Sequence, residues 1–271
     1  MSRPHAEVIG DPIAQSKSPL IHGFWLDALG IEAEYRRTQV APDALAAFVA
    51  ARRVDPDWRG CNVTMPHKLA VMDLVDDPGG VREGIGAMNT LLRQPDGRVI
   101  GTNTDAGGFA APIADLDLAE RHAVVVGAGG AARAVLWALA RLEVERVTVM
   151  NRSPLKAAGL LAHFGLKGDV VALDAPLAPT AALVVNASAL GMTGQPVLDL
   201  DLLPLAEDAV VYDLVYAPLE TPLLAAARAR ELATVDGLEM LIGQAALAFE
   251  LFFGASPPRG RDEELRRKLT G

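Results

Sequence analysis

The sequence predicts an α/β protein of two domains, an N-terminal α/β domain followed by a doubly wound parallel sheet. Three observations carry that expectation. Short apolar runs alternate with helically patterned segments along 271 residues, a length beyond the ~100 to 150 residues usual for one domain. Residues 123–134, AVVVGAGGAARA, read as buried strand, glycine turn and helix start, the fingerprint of a Rossmann-type dinucleotide-binding unit. LVVNAS (183–188) and VVYDLVY (210–216) are largely continuous apolar runs, as in parallel strands covered on both faces.

The elements follow in order. EVIG (7–10) is a short strand, and SPLIHGFWLDALG (18–30) a helix with Leu20, Ile21, Phe24, Trp25 and Leu29 at helical spacing and Gly30 as its C-cap. EYRRTQV (34–40) reads as a strand, PDALAAFVAARRV (42–54) as a helix with Asp43 near its positive end, and GCNVT (60–64) as a buried strand. HKLAVMDLV (67–75) is expected to be a helix, and residues 87–105 two extended runs around the turn QPDG. A helix interrupted by AAP fills 106–122. After the glycine turn come the helix AARAVLWALARLEV, the strand VTVMN, the two apolar runs, and the helices 221–233 and 237–254, the second ended by Gly254. The last seventeen residues are charged, a short helix or a tail. The two halves meet near residue 105.

Composition removes several classes of function. A net charge of −9 with no Lys/Arg cluster argues against nucleic acid. No run approaches the ~18 apolar residues of a membrane span, and the first residues lack a signal-peptide core, so the expected location is cytoplasmic, with no membrane partner. One cysteine, Cys61, permits no internal disulfide and no multi-thiolate zinc site. Five scattered histidines have no metal spacing, so no metal is expected.

In the glycine turn, Gly127 permits the tight bend, Gly129 lets backbone approach a pyrophosphate, and Ala132 lets helix pack on strand. An NAD enzyme of this type places Asp or Glu at the end of the next strand. This chain has Asn151, Arg152 and Ser153, followed by Lys156. A carboxylate repels a 2′-phosphate, whereas a guanidinium grips one with paired charge-assisted hydrogen bonds. The expected cofactor is NADP.

In the first half, polar residues stand at strand ends where a core would avoid them. GDPIAQSKSP places Ser16 and Ser18 before a helix, which suits a carboxylate, although either serine could instead cap that helix. CNVTMPHKL brings Asn62, Thr64 and Lys68 to a proline turn; AMNT holds Asn89 and Thr90; TNTD holds Asn103, Thr104 and Asp105. Each cluster alone is ordinary turn chemistry. Together they supply the hydroxyl, amide, cation and carboxylate groups that a small polyhydroxy acid requires.

The series GDPIAQSKSP, NVTMPHK, GAMNT, GTNTD, VVVGAGGAARA, NRS, NASALGM, YDLVYAPLETPLL and GLEMLIGQAALAFEL resembles the shikimate dehydrogenase family, in order and over almost the whole chain. The resemblance implies a substrate-binding and catalytic domain made of 1–104 plus 238–271, the C-terminal helices returning to it, and an NADP-binding Rossmann domain over 105–237. It implies NADPH-dependent reduction of 3-dehydroshikimate to shikimate by a monomer or homodimer. Lys68 and Asp105 would be the catalytic pair. Ser16 and Ser18, with Tyr216, would hold the substrate carboxylate, and Asn62, Thr64, Asn89 and Gln244 its ring hydroxyls. Gly127, Ala128, Gly129, Gly130 and Ala131 would meet the pyrophosphate; Asn151, Arg152, Ser153 and Lys156 the adenosine phosphate; Leu214, Gly237 and Met240 the nicotinamide. Gln15, where the family usually has histidine, and Gly23, where asparagine is common, depart from the pattern but remove none of these ligands. The glycines of DDPGGVREGIG (76–86) depart from it as well. A quinate/shikimate dehydrogenase with relaxed cofactor use and a non-catalytic NADP-binding regulator on the same scaffold are the alternatives. A tetrahydrofolate dehydrogenase of similar layout lacks the Ser-x-Ser and TNTD segments.

Overall fold

The computed structural model describes residues 3–271. The chain divides into two compact units, one formed by the residues up to Thr104 together with Ile242–Gly271, the other by Asp105–Leu241.

In the first unit, strand β1 (His5–Gly10) is buried throughout and leads to helix α1 (Ser18–Leu29), which ends on Gly30 at φ 64°, the left-handed conformation that glycine adopts without penalty. β2 (Glu34–Gln39), α2 (Leu45–Arg53) and β3 (Trp58–Val63) follow. Residues 67–75 do not form the expected α-helix. The segment folds as a 3-10 turn over Ala70–Leu74, and Val75 is already extended, because the chain must return at once to β5: the Asp76 N–H donates to Val99 O at 2.9 Å. A single turn, α3 (Val81–Gly84), precedes β4 (Thr90–Arg93) and β5 (Val99–Thr102), joined by the tight turn at 94–97. The sheet order is β2-β1-β3-β4-β5; β1 lies parallel to β2 and β3, whereas β4 is antiparallel to both of its neighbours. The carboxyl ends of β1 and β3 are therefore adjacent, and Gly10 makes this possible: a Cβ there would lie 2.5 Å from Thr64 Cγ2 and 2.9 Å from Met65 O.

The second unit begins with α4 (Asp105–Ala110) and a 3-10 turn, Ala111–Ile113, where the AAP interruption falls. Then come β6 (His122–Val126), α5 (Gly130–Arg141), β7 (Arg146–Met150), α6 (Pro154–Phe164), β8 (Gly168–Val171), β9 (Ala181–Asn186), β10 (Val210–Asp213), α7 (Pro222–Ala229) and β11 (Ala233–Val235). The sheet is parallel throughout, in the order β11-β10-β9-β6-β7-β8. This is the doubly wound Rossmann order, whose winding reverses between β6 and β9, the point where such sheets bind ligand. Valines of β6, β7, β9 and β10 are almost wholly buried on both faces, which explains their continuous apolar runs.

α8 (Gly237–Phe253) crosses the division at Leu241/Ile242, and α9 (Asp262–Thr270) belongs to the first unit. There Phe249 meets Trp25 edge-on at 5.5 Å, and Arg261 covers Phe24 at 4.7 Å. Among the described residues no helix is long and apolar enough to cross a membrane.

Candidate active site and dinucleotide site

In the first unit the predicted residues gather at the carboxyl ends of β1 and β3 and the amino end of β4. Ser18 is the first residue of the twelve-residue α1, and its N–H donates to Ser16 Oγ at 3.3 Å. Lys17, the N-cap, makes no side-chain cap bond. The positive helix end and two hydroxyls therefore face the same region, an arrangement suited to a carboxylate. Arg37 donates to Ser16 O at 2.7 Å and holds that loop.

Asn62 ends β3 with its amide buried, and Thr64 follows, partly exposed, its N–H bonded to Ile9 O. The next turn is fixed from two sides. His67 is buried with Nε2 2.7 Å from Val40 O, so its ring anchors the turn structurally. The N–H of Met88 donates to Lys68 O at 2.8 Å. Lys68 itself is partly exposed.

Asn89 stands before β4, with Asn62 opposite Thr90 across the antiparallel pair. Thr104 N–H donates to Asn89 Oδ1 at 2.7 Å and Asn89 Nδ2 to Thr104 Oγ1 at 2.9 Å. Thr90 Oγ1 lies 3.0 Å from Asn89 Oδ1, and Asn62 Nδ2 donates to Thr90 Oγ1 at 3.1 Å. Gln244, on α8, approaches Thr104 Oγ1 at 3.5 Å through its amide oxygen. An amide on an apolar helix is costly without such partners. Asp105, buried, opens α4 immediately after Thr104. Tyr35 is a residue that sequence reasoning missed: its hydroxyl is 2.6 Å from Asn62 Oδ1. The only signal was a tyrosine on a strand, whose buried hydroxyl needs a partner.

In the second unit, Gly127 sits beyond β6 at φ 108°, and a Cβ there would come within 3.1 Å of Ala187 O, just beyond β9. Packing and backbone both demand this glycine. Gly129 differs: its φ of −88° is open to any residue, and a Cβ would meet nothing within 4 Å. No neighbour within 4 Å requires a glycine there, whereas a pyrophosphate lying against the helix end would. Gly130 and Ala131 form the first turn of α5, and Ala128 is buried beside them.

β7 ends in Asn151, whose Nδ2 donates to Ser153 O at 3.0 Å. Ser153 is the N-cap of α6 yet makes no cap hydrogen bond, and Lys156 lies in the first turn. Arg152, Ser153 and Lys156 are exposed. Cations at a helix's positive end are unfavourable unless an anion joins them, so the loop fits a phosphate ester and no residue in it repels one.

A second cluster, also missed, underlies 214–216. Asp213 is fully buried and accepts from Asn186 Nδ2 at 2.8 Å, Thr221 Oγ1 at 2.7 Å and Val215 N at 3.0 Å. Burial pushes its carboxyl up, and these donors pull it back. Asn186 Oδ1 receives both N–H and hydroxyl of Ser188. The network fixes the chain after β9 and β10 together. A Cβ at Gly237 would lie 2.5 Å from Leu214 O and Val215 O, so the start of α8, with Met240, packs on Leu214. Burial raises the Tyr216 phenol.

A cavity of about 670 Å³ lies elsewhere, lined by Glu120, Glu143, Glu145 and Lys167 before β6, β7 and β8. It holds none of the predicted residues, and its acids would repel a dinucleotide.

Family comparisons cover most of the chain. Residues 8–91 match the model of the shikimate dehydrogenase substrate binding domain, 109–187 that of shikimate / quinate 5-dehydrogenase, and 237–264 that of the shikimate 5′-dehydrogenase C-terminal domain. The shikimate dehydrogenase (NADP(+)) of Sphingopyxis alaskensis is 74% identical over 267 residues, covering 98% of this chain and 97% of that one. The Thermus thermophilus shikimate 5-dehydrogenase, solved with NADP(H) and shikimate, superposes with TM-score 0.85 at 37% identity, covering 98% and 99% of the two chains. The ligand-free 5-ketofructose reductase of a Gluconobacter strain superposes with TM-score 0.88 at 27% identity, covering 99% of each chain.

Proposed function

We infer the reaction and its machinery from one premise: the chain belongs to the shikimate dehydrogenase family. Its activity is the reversible NADPH-dependent reduction of 3-dehydroshikimate to shikimate, a step of aromatic amino-acid biosynthesis, with NADP as cofactor. The residue roles are our assignment. Substrate binding and catalysis belong to 1–104 with 238–271, and NADP binding to 105–237. The enzyme works in the cytosol.

NADPH, when bound, supplies the hydride that adds to the C3 carbonyl carbon. Charge grows on the C3 oxygen as the carbonyl opens and needs a donor aimed at it. Lys68 is that donor. Lys68 chiefly polarises the oxygen, with Asp105 orienting the ammonium and a neighbouring substrate hydroxyl. Ser16, Ser18 and Tyr216 take the substrate carboxylate; Asn62, Thr64, Asn89 and Gln244 take the ring hydroxyls.

On the cofactor side, Gly127, Ala128, Gly129, Gly130 and Ala131 receive the pyrophosphate, and Asn151, Arg152, Ser153 and Lys156 the 2′-phosphate. Leu214, Gly237 and Met240 border the nicotinamide. The observation that carries the cofactor assignment is a strand ending in Asn151 and Arg152 instead of an acid.

Absorbance at the nicotinamide band, with shikimate as substrate and NADP or NAD as acceptor, tests the reading. kcat/KM is expected to be at least about a hundredfold higher with NADP, since charge-assisted hydrogen bonds to the 2′-phosphate are each worth about 1.5–3 kcal/mol. Equal values, or a preference for quinate, would replace this reading with a quinate/shikimate dehydrogenase.

A further inference from the structure

We propose that Tyr35 is a positioning residue for substrate recognition, acting through the Asn62 amide. The inference rests on the reading of Asn62 as a substrate ligand.

The backbone N–H of Thr104 can only donate, and it lies 2.7 Å from one end of the Asn89 amide. That end is therefore Oδ1. Thr90 Oγ1 lies 3.0 Å from the same oxygen, which has no hydrogen to give, so Thr90 supplies one. With its hydrogen spent, Thr90 can only accept from Asn62, 3.1 Å away, and Asn62 must turn Nδ2 toward it. Asn62 Oδ1 then faces Tyr35, 2.6 Å away, and the phenol must donate. The polarity set by one backbone amide thus runs through Asn89, Thr90 and Asn62 to Tyr35.

Tyr35 is built for that end of the chain. Its ring is buried and stacked on His22 at 3.9 Å with an interplanar angle of 2°. Burial pushes the phenol well above its ordinary range, which keeps it a neutral donor. The Asn62 amide thus meets its ligand in one orientation. Without the phenol, Oδ1 loses its donor and the amide is held from the Nδ2 side alone, by Thr90 Oγ1 at 3.1 Å.

The test compares Tyr35→Phe, Asn62→Ala and the double variant by steady-state kinetics, varying shikimate at saturating NADP and the reverse. Phenylalanine keeps the stacking ring. Tyr35→Phe is expected to raise KM for shikimate about fivefold, ~1 kcal/mol at 1.4 kcal/mol per decade, with KM for NADP unchanged. In the Asn62→Ala background the same change should shift KM by less than about 1.5-fold. If Asn62→Ala weakens shikimate but Tyr35→Phe does not, the role of Tyr35 is overturned while the site stands. An undiminished Tyr35→Phe effect in the Asn62→Ala background, or an equal rise in both KM values, also overturns it. If Asn62→Ala itself leaves KM unchanged, the assignment of the substrate site fails instead.

Discussion

The amides of Asn62, at the end of β3, and Asn89, before β4, are buried and linked through Thr90 Oγ1, whereas Arg152, Ser153 and Lys156, after β7, lie exposed. On the assignment proposed above, the contrast follows from what each would recognise. Ring hydroxyls are neutral and differ from water mainly in position, so they are told apart by donors and acceptors held rigid in a dry interior. A phosphate dianion carries its own long-range signal, and flexible cations in water suffice to catch it. Rigid recognition should fail through geometry and folding, and exposed recognition through charge.

The largest expected effect is at Lys68, where positioning and charge coincide. Lys68→Met removes the ammonium but keeps most of the stem, and should lower kcat about a hundredfold or more, the usual contribution of a placed acid–base group. A fall of less than tenfold, about 1.4 kcal/mol, would move the donor role elsewhere.

Acid should then distinguish the buried region by stability. His22 is wholly buried against Tyr35 and Trp25, and burial lowers its pKa from 6.5 to about 3. The folded state therefore holds the ring neutral, while the unfolded chain binds a proton below about pH 6.5. The stabilisation is complete above that value and is lost as pH falls toward 3. Between pH 7 and pH 5 this group alone should cost about 2 kcal/mol, a sizeable part of a typical 5–15 kcal/mol. Urea unfolding at the two pH values measures it, and His22→Phe should flatten the difference. An unchanged slope in that variant would mean that other groups dominate.

How much of this was legible in the sequence differs in the same way. The exposed loop was readable because its chemistry is local: Asn151, Arg152 and Ser153 adjoin one another, and the glycine turn that sets their meaning precedes them by one helix. The buried chain was not. Asn62, Asn89 and Thr104 each pass for turn residues, and Tyr35 lies 27 residues from its partner, on an edge strand otherwise polar. Only pairing of β1 with β2 and β3 brings them together. Strands β8 and β11 went unread because they are short, half exposed and lack an apolar run. The false helix at 67–75 had the right periodicity, but the backbone bond from Asp76 to Val99 leaves too few residues to complete it.

Removing one exposed cation should have a smaller and cleaner effect. Arg152→Ala is expected to raise KM for NADP about tenfold while KM for shikimate and the unfolding midpoint stay put. Activity with NAD, which has no 2′-phosphate, should not change. A matching loss with NAD would mean that Arg152 contacts some other part of the cofactor.

The smallest effect concerns salt. At 0.05 M the screening length is about 14 Å and at 0.5 M about 4 Å, so attraction between the 2′-phosphate and exposed guanidinium and ammonium groups weakens across that range. KM for NADP should rise about threefold. Asn62 and Asn89 are buried, so if they bind the ring hydroxyls as proposed, added ions do not reach those bonds, and any rise in KM for shikimate should be smaller and confined to its carboxylate. Arg152→Ala should also show a shallower salt dependence for NADP, because one screened contact is already gone. An equal salt slope for both ligands in the parent enzyme would contradict the division between a dry, geometric recognition of the ring and a wet, electrostatic recognition of the phosphate.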